Sequence, residues 1–261
     1  MAASPLRIAS WNVNGIRAIL KRKVAFFERT DLDVLCFNET KIQEMHVEEV
    51  KMSFQSYQHH YWNCSTAKLG YSGVTLLSKI APIEVSFGIN APAHDREGRV
   101  ITAEYADYFL VATYIPNSGE GLKRLEYRVN EWDTAFRAHL KGLQRKGKDV
   151  VWIGDLNVIH QEIDIYKLKG NEKYASCTPQ ERSSFTSTLE EGFRDTFRNL
   201  HPERRAYTWH SYRSRKEGSL VHGWRLDYAV VSSALMGSVK SSIVHEEVVG
   251  SDHCPIELVF K

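Results

Sequence analysis

The sequence predicts an α/β sandwich, two packed β-sheets flanked by helices, and three observations lead there. Apolar runs of strand length recur along the whole chain and outnumber helical patterns. Two of them, Val100–Tyr105 and Phe109–Ile115, are joined only by Ala106-Asp107-Tyr108, which reads as an antiparallel hairpin and makes the sheet mixed rather than purely parallel. At 261 residues the chain is long enough to bury a large core between two layers of sheet.

The elements follow in order. Leu6–Trp11 and Leu32–Phe37 are continuous apolar runs, the second with Cys36 as a small buried hydrophobe. Gly73–Ser78 and the hairpin come next. Leu122, Leu125, Val129, Trp132, Phe136, Leu140 and Leu143 then recur at three- and four-residue steps, one apolar helix face over about six turns. Val150–Ile153 is the next strand. Thr178-Pro179-Gln180-Glu181 announces a second helix, with an N-cap threonine, proline at the first helical position and a glutamate placed for a capping box. Leu226–Val231 and Ile256–Phe260 close the chain. No repeat, low-complexity tract or linker divides it, so one domain over residues 1–261 is expected.

Hydrophobic content of 43% and charged content of 25% describe an ordinary soluble globular protein. A net charge of +2 does not announce a polyanion partner. Basic residues do cluster locally, at Lys21 to Lys23, Lys141 to Lys148, Arg204-Arg205 and Arg213 to Lys216. The four cysteines show neither C-x-x-C pairing nor metal-type spacing. No stretch approaches a membrane span, and no signal-like segment precedes the first strand. An intracellular, reduced compartment and no membrane partner are expected.

Polar residues stand at the ends of the apolar runs. Asn12 and Asn14 follow the first, Glu39 and Lys41 the second, and Tyr114 and Asn117 close the hairpin. Asp155 and Asn157 follow Val150–Ile153, Asp227 interrupts an apolar stretch, and Asp252-His253 precede the last strand. Strand ends are where ligand sites form, because side chains converge there on a rigid frame. Converging carboxylates repel one another unless a cation lies between them, and Asp, Glu and Asn oxygens suit Mg²⁺ or Mn²⁺ rather than zinc. A hard cation, a carboxylate and a histidine are what phosphate-ester hydrolysis requires. Each residue also has an ordinary reading: an Asx turn at Gly154-Asp155-Leu156-Asn157, an Asp227–Arg225 ion pair, a Glu39–Lys41 ion pair, or a buried histidine at His253.

Read together, the motifs resemble the exonuclease III family of apurinic/apyrimidinic endonucleases. They are Trp-Asn-Val-Asn-Gly (11–15), Glu-Thr-Lys (39–41), Gly-Tyr-Ser-Gly-Val (70–74), Tyr-Ile-Pro-Asn-Ser-Gly (114–119), Gly-Asp-Leu-Asn-Val (154–158), Gly-Trp-Arg-Leu-Asp-Tyr (223–228) and Gly-Ser-Asp-His-Cys-Pro (250–255). The resemblance implies a four-layered α/β sandwich and Mg²⁺-dependent cleavage, with Mn²⁺ able to substitute, of the phosphodiester 5′ to an abasic site in double-stranded DNA. It further implies some 3′–5′ exonuclease and 3′-phosphodiesterase activity on 3′-blocked ends, a monomer, and a nuclear or organellar protein if eukaryotic, cytoplasmic if prokaryotic. Glu39 is the implied metal ligand, with Asp252 and Asn14 nearby. On the same resemblance, Asp155 would orient or deprotonate the attacking water, and Asn157 and Asn12 would hold it and a phosphoryl oxygen. His253, positioned by Asp227, would bind a phosphate oxygen, with Tyr114 and Asn117 completing that pocket. Trp209, Trp224 and Leu226 match the family's apolar pocket for a sugar lacking its base, which fits a tight apolar slot where an intact nucleotide does not. Arg17, Ala18, Lys41, Tyr71, Arg99 and Asn171 are implied DNA contacts.

The chain also departs from the family. Asn14 stands where animal members carry aspartate and bacterial members asparagine, so one fewer charge than in the animal members is expected near the metal. Glu120 stands where those have an arginine reaching toward DNA, and Arg213 replaces an apolar wedge residue, so a weaker grip on cleaved product is expected. Two other readings share these residues: a related metal-dependent phosphoesterase acting on another phosphodiester, and a catalytically inactive DNA-binding module.

Overall fold

A computed structural model describes residues 5–211 and 222–261 of the chain. Its strands are β1 (Arg7–Asn12), β2 (Val34–Asn38), β3 (His59–Asn63), β4 (Val74–Ser78), β5 (Glu84–Phe87), β6 (Val100–Glu104) and β7 (Tyr108–Tyr114). They continue with β8 (Asp149–Asp155), β9 (Phe193–Asp195), β10 (Trp209–His210), β11 (Gly223–Trp224), β12 (Asp227–Ser232), β13 (Val239–Val244) and β14 (Ile256–Phe260). Two six-stranded sheets result, ordered β13-β14-β1-β2-β4-β3 and β5-β6-β7-β8-β12-β9, with β10 and β11 a separate short pair. The β1–β2 and β7–β8 pairings are parallel, and the other ladders of both sheets are antiparallel.

The α-helices are α1 (Ile16–Leu20), α2 (Val47–Lys51), α3 (Pro92–Asp95), α4 (Asp133–Gln144), α5 (Pro179–Glu190) and α6 (Thr196–Leu200). Alternation along the strands builds the layers. Ile8, Val34 and Leu76 of the first sheet meet Leu110, Ala112 and Ile153 of the second. Ala9, Trp11 and Phe37 face the other way, onto Ile16, Ile19 and Val50 of α1 and α2. Val111, Trp152 and Val230 face Phe136 and Leu140 of α4 and Phe185 of α5. The order is therefore helix, sheet, sheet, helix, the expected four-layered sandwich. Strands covered on both faces are continuously apolar, which is why β1, β2, β4, β7 and β8 are visible in the sequence.

Strands that lie at the sheet edges are not. His59–Asn63 and Glu84–Phe87 are partly or largely exposed and carry no apolar run, and neither was expected. The capping box of α5 forms as the sequence predicts: Glu181 N donates to Thr178 Oγ1 at 3.2 Å and Thr178 N to Glu181 Oε2 at 3.1 Å.

The long apolar helix face is partly different. Leu122 lies before the helix in left-handed backbone (φ 59°), and a π-helical turn over Tyr127–Trp132 leads into α4. The wider turn shifts the upstream face by about one residue. Trp132, Phe136, Leu140 and Leu143 stay buried, but Arg128 rather than Val129 turns inward. The four cysteines are free thiols. Among the described residues no helix is long and apolar enough to cross a membrane.

Candidate active site

Both parallel strand pairs end at one rim. There the registers place Asn12 beside Asn38, and Tyr114, Asp155 and Asp227 side by side on β7, β8 and β12. Asn38 clamps the two sheets together: its Oδ1 accepts from Ser10 Oγ (3.1 Å) and Asp155 N (3.2 Å), and its Nδ2 donates to Thr113 O (2.7 Å). Gly154 is required beside it, because a Cβ there would lie 1.9 Å from Thr113 O and its φ is +147°. Asn14, Glu39, Lys41, Ser72, Asn157 and Ser176 all hold positive φ in the loops at this rim. Such backbone costs of order 1–3 kcal/mol per residue and persists where surrounding structure fixes it, as at functional sites.

At the floor of the rim lie Asp155, Asp227 and His253, all buried. His253 Nδ1 is 2.7 Å from Asp227 Oδ2, and His253 Nε2 is 3.8 Å from Asp155 Oδ2. Burial pulls the imidazole pKa down, but the charges of Asp227 and Asp155 outweigh it and raise the ring to about 10. Those charges favour the imidazolium form, with Nε2 facing Asp155. Burial, helped by Asp227, pushes the Asp155 carboxyl far above the ordinary aspartate range. Asp155 also forms the Asx turn of the ordinary reading, with Asn157 N donating to its Oδ1 at 2.9 Å. The two readings coexist, because Oδ2 stays turned toward Asn12 and His253.

Asp252 points the other way. Its carboxylate accepts from Asn14 Nδ2 (3.0 Å) and Trp209 Nε1 (3.2 Å). Glu39 accepts from Asn12 Nδ2 (3.0 Å) and Tyr114 Oη (2.7 Å). Lys41 Nζ sits between Glu39 Oε2 (2.9 Å) and Asn14 Oδ1 (2.5 Å), so the expected Glu39–Lys41 pair exists. That ammonium is a stand-in cation: carboxylate and amide oxygens already converge on a positive charge, as a hard divalent ion demands. Despite burial, Lys41 and the hydrogen bond from Asn12 hold Glu39 below its ordinary pKa, so it is ionised and ready for a cation. Asp155, Asp227 and His253 form a second group whose ligand atoms lie within 4.8 Å of one another and which could hold a metal. The Glu39 side gathers carboxylate and amide oxygens, a harder donor set than two carboxylates and an imidazole.

A cleft of about 660 Å³ opens above these residues. It is lined by Glu39, Tyr114, Asn117, Asp155, Asn157, Asp252 and His253 on one side and by Trp209, Trp224 and Leu226 on another. The tryptophan rings meet edge-on at 5.6 Å. Asn117 Nδ2 donates to Asn157 Oδ1 at 2.7 Å. Their loops are held from behind by Arg128, which donates to Pro116 O (2.6 Å) and Leu156 O (2.9 Å), a role the smooth helical periodicity concealed. Arg225 does not pair with Asp227. It is buried against Asp195 (2.6 Å) and Asp164 (2.8 Å), which leaves Asp227 to His253.

The expected DNA contacts divide. Arg17 and Ala18 are exposed on α1, and Asn171 is half-buried with its Nδ2 on Lys167 O (2.8 Å). Tyr71 is half-buried, its hydroxyl accepting from Arg99 and Arg124, each at 2.8 Å. Arg99 is not presented to solvent: only 2% exposed, it also donates to Tyr114 O (2.9 Å) and Glu97 Oε2 (2.7 Å). Residues beside it supply enough acceptors to bury it, so it positions β7 rather than offering a surface charge. Glu120 is exposed at the cleft. Arg213 lies outside the described residues.

The model of the endonuclease/exonuclease/phosphatase family matches residues 9–253. The chain belongs to that family. Among its relatives, a zebrafish (Danio rerio) protein named DNA repair nuclease APEX1 is 48% identical over 98% of this chain and 82% of that protein. An exodeoxyribonuclease of Bacillus subtilis is 42% identical over 97% of this chain and 99% of that protein. Among solved structures, an AP endonuclease of Leishmania major superposes with a TM-score of 0.85 at 31% identity, covering 98% of this chain and 88% of that one. A Neisseria 3′ phosphatase bound to a product DNA hairpin gives 0.85 at 25% identity, covering 98% and 99%. These relatives place the chain in the exonuclease III and AP endonuclease branch of the family.

Proposed function

We propose that this chain hydrolyses the phosphodiester 5′ to abasic sites in double-stranded DNA, with Mg²⁺ as its cation and Mn²⁺ able to replace it, and trims blocked 3′ ends at the same site. The observation that carries the reading is the union, in one cleft, of a buried acid–histidine cluster and an apolar wall of Trp209, Trp224 and Leu226. A sugar without its base fits against that wall, while an intact nucleotide brings a polar base that the wall cannot satisfy.

Glu39, with Asp252 and Asn14, would hold the cation, which neutralises charge on the phosphate when bound. The remaining work belongs to the side chains. His253 is protonated and pinned through Nδ1, so Nε2 donates to a phosphoryl oxygen. Burial beside Glu39 keeps the Tyr114 phenol well above its ordinary pKa, so it too is a donor. With both of these holding their protons, Asp155 is the residue left to take one from water. Its raised pKa suits a base near neutral pH. Asn12 and Asn157 steer the water and a phosphoryl oxygen, and Asn117 fixes Asn157.

Asp155→Asn and His253→Asn, assayed at saturating abasic duplex in Mg²⁺, should each lower kcat by about 10²–10⁴. Losses of only a few-fold contradict these roles. A panel of abasic, 3′-blocked and undamaged duplexes decides the substrate: equal cleavage of abasic and undamaged DNA overturns the reading.

A further inference from the structure

Tyr174 takes no part in the assignments above, yet it lines the catalytic cleft. It is 60% exposed, the side chain of a large aromatic left open to water. Among the described residues its ring stacks on no other ring and its hydroxyl has no hydrogen-bond partner. The backbone that carries it is fixed: Tyr174 N donates to Asn171 O at 3.0 Å, and Cys177 N to Tyr174 O at 3.1 Å. Cys177 is buried under the apolar wall beside Leu226. Two residues on, Ser176 Oγ contacts the amides of Asn117 (3.3 Å) and Asn157 (3.4 Å), which ties this turn to the phosphate-binding loops. Two residues span at most about 7 Å of backbone, the length of about two base steps at ~3.4 Å each. A ring on a hydrogen-bonded turn, without a partner among the described residues, thus stands on the wall of the same cleft, within a nucleotide or two of the Asn117–Asn157 loops. Lys173 lines the cleft beside it and adds attraction for a phosphate backbone.

A sugar that lacks its base leaves the neighbouring base without a stacking partner on one face. A flat ring at the rim can supply that face, whatever the base, because every base has a π surface. We propose that Tyr174 stacks on a nucleobase flanking the reacting sugar. The chain then grips the nucleotide beside the lesion as well as the lesion itself, an inference that rests on the DNA-cleaving reading above.

The test uses the full chain in EDTA, to prevent cleavage, and abasic duplexes whose flanking nucleotide, on either side, carries a base or is itself abasic. Tyr174→Ala should weaken binding of the duplex with the base by about 5- to 100-fold, the ordinary effect of losing one stacked base. It should change binding of the duplex without that base by less than about twofold. Tyr174→Phe keeps the ring and should bind like the parent. With 2-aminopurine at the flanking position, the parent and Tyr174→Phe should quench emission on binding, and Tyr174→Ala should not. Equal losses on both duplexes, or no loss on either side of the lesion, overturn the proposal. Cleavage in Mg²⁺ separates the two readings. If the parent leaves the abasic duplex uncut, the reaction assigned above has failed. If it cuts but Tyr174→Ala shows no dependence on the flanking base, the stacking role has failed.

Discussion

Arg225→Met tests whether the apolar wall depends on the ion network behind it. Arg225 is fully buried between Trp224 and Leu226, which line the cleft. Its guanidinium donates to Asp195 Oδ2 (2.6 Å), Asp195 Oδ1 (3.1 Å) and Asp164 Oδ1 (2.8 Å), and its carbon lies 4.1 Å from the centre of the Tyr228 ring. Removing one partner of a buried ion pair costs about 3–5 kcal/mol, because the other charge is left without compensation. Here the loss is cushioned. Arg198 Nη2 still holds Asp164 at 2.6 Å, and Asp195 Oδ1 still accepts from Arg198 N at 3.2 Å. The low end, about 3 kcal/mol, is expected in urea unfolding, with a fall in Tm of about 6–12 °C for a chain of this size. A protein stable by 5–15 kcal/mol still folds. With its anchor gone the wall loosens, so KM for an abasic duplex should rise by about tenfold while kcat changes less. Adding Asp195→Asn removes the orphaned charge and should recover part of the lost stability. A single variant within about 1 kcal/mol of the parent, or a second substitution that deepens the loss, refutes the reasoning.

Glu257 offers a pH-dependent test of the first sheet. It is buried, yet hydrogen bonds from His245, Arg29 and Arg7 overcome burial and hold its pKa near 2, against 4.5 ordinarily. A depressed folded pKa contributes stability above 4.5 that is lost as pH falls toward 2, about 3 kcal/mol in all. Glu257→Gln should therefore destabilise the chain by about that amount at pH 7 and converge with the parent near pH 2; a gap independent of pH contradicts this. His245 acts at the other end, since its raised pKa gives stability below its ordinary 6.5 that fades as pH rises through the folded value. At the cleft mouth, Glu120→Arg replaces an exposed acid with a phosphate-seeking base. Product dissociation should slow by about fivefold, equivalent to ~1 kcal/mol for an exposed charge contact. Stopped-flow release rates equal to the parent's would sink the expectation that Glu120 loosens the grip on product.

Much of the fold is legible in the sequence for a physical reason. Strands covered on both faces must be apolar throughout, so β1, β2, β4, β7 and β8 announce themselves, and a capping box such as Thr178–Glu181 depends on residues only three apart. The edge strands β3 and β5 are silent because half-wet backbone tolerates any polar side chain. The π turn before α4 is silent too: it keeps every residue type and changes only which one faces inward, and so Arg128 escaped notice as the brace of two site loops.

The same division runs through the site. The sequence alone determined which residues are candidates for the chemistry, since carboxylates, amides and a histidine recur at the ends of its apolar strands. Only the tertiary structure decided who pairs with whom. Arg225 neighbours Asp227 along the chain but reaches Asp195 and Asp164, while Asp227 reaches His253, 26 positions away. Asp252 and His253 are adjacent and serve different partners. Arg99, a basic residue of the kind expected to meet DNA, is spent inside the protein on Glu97, Tyr71 and Tyr114. Charge pairing acts over a few ångströms of space, and sequence separation carries no information about that distance once the chain has folded back on itself.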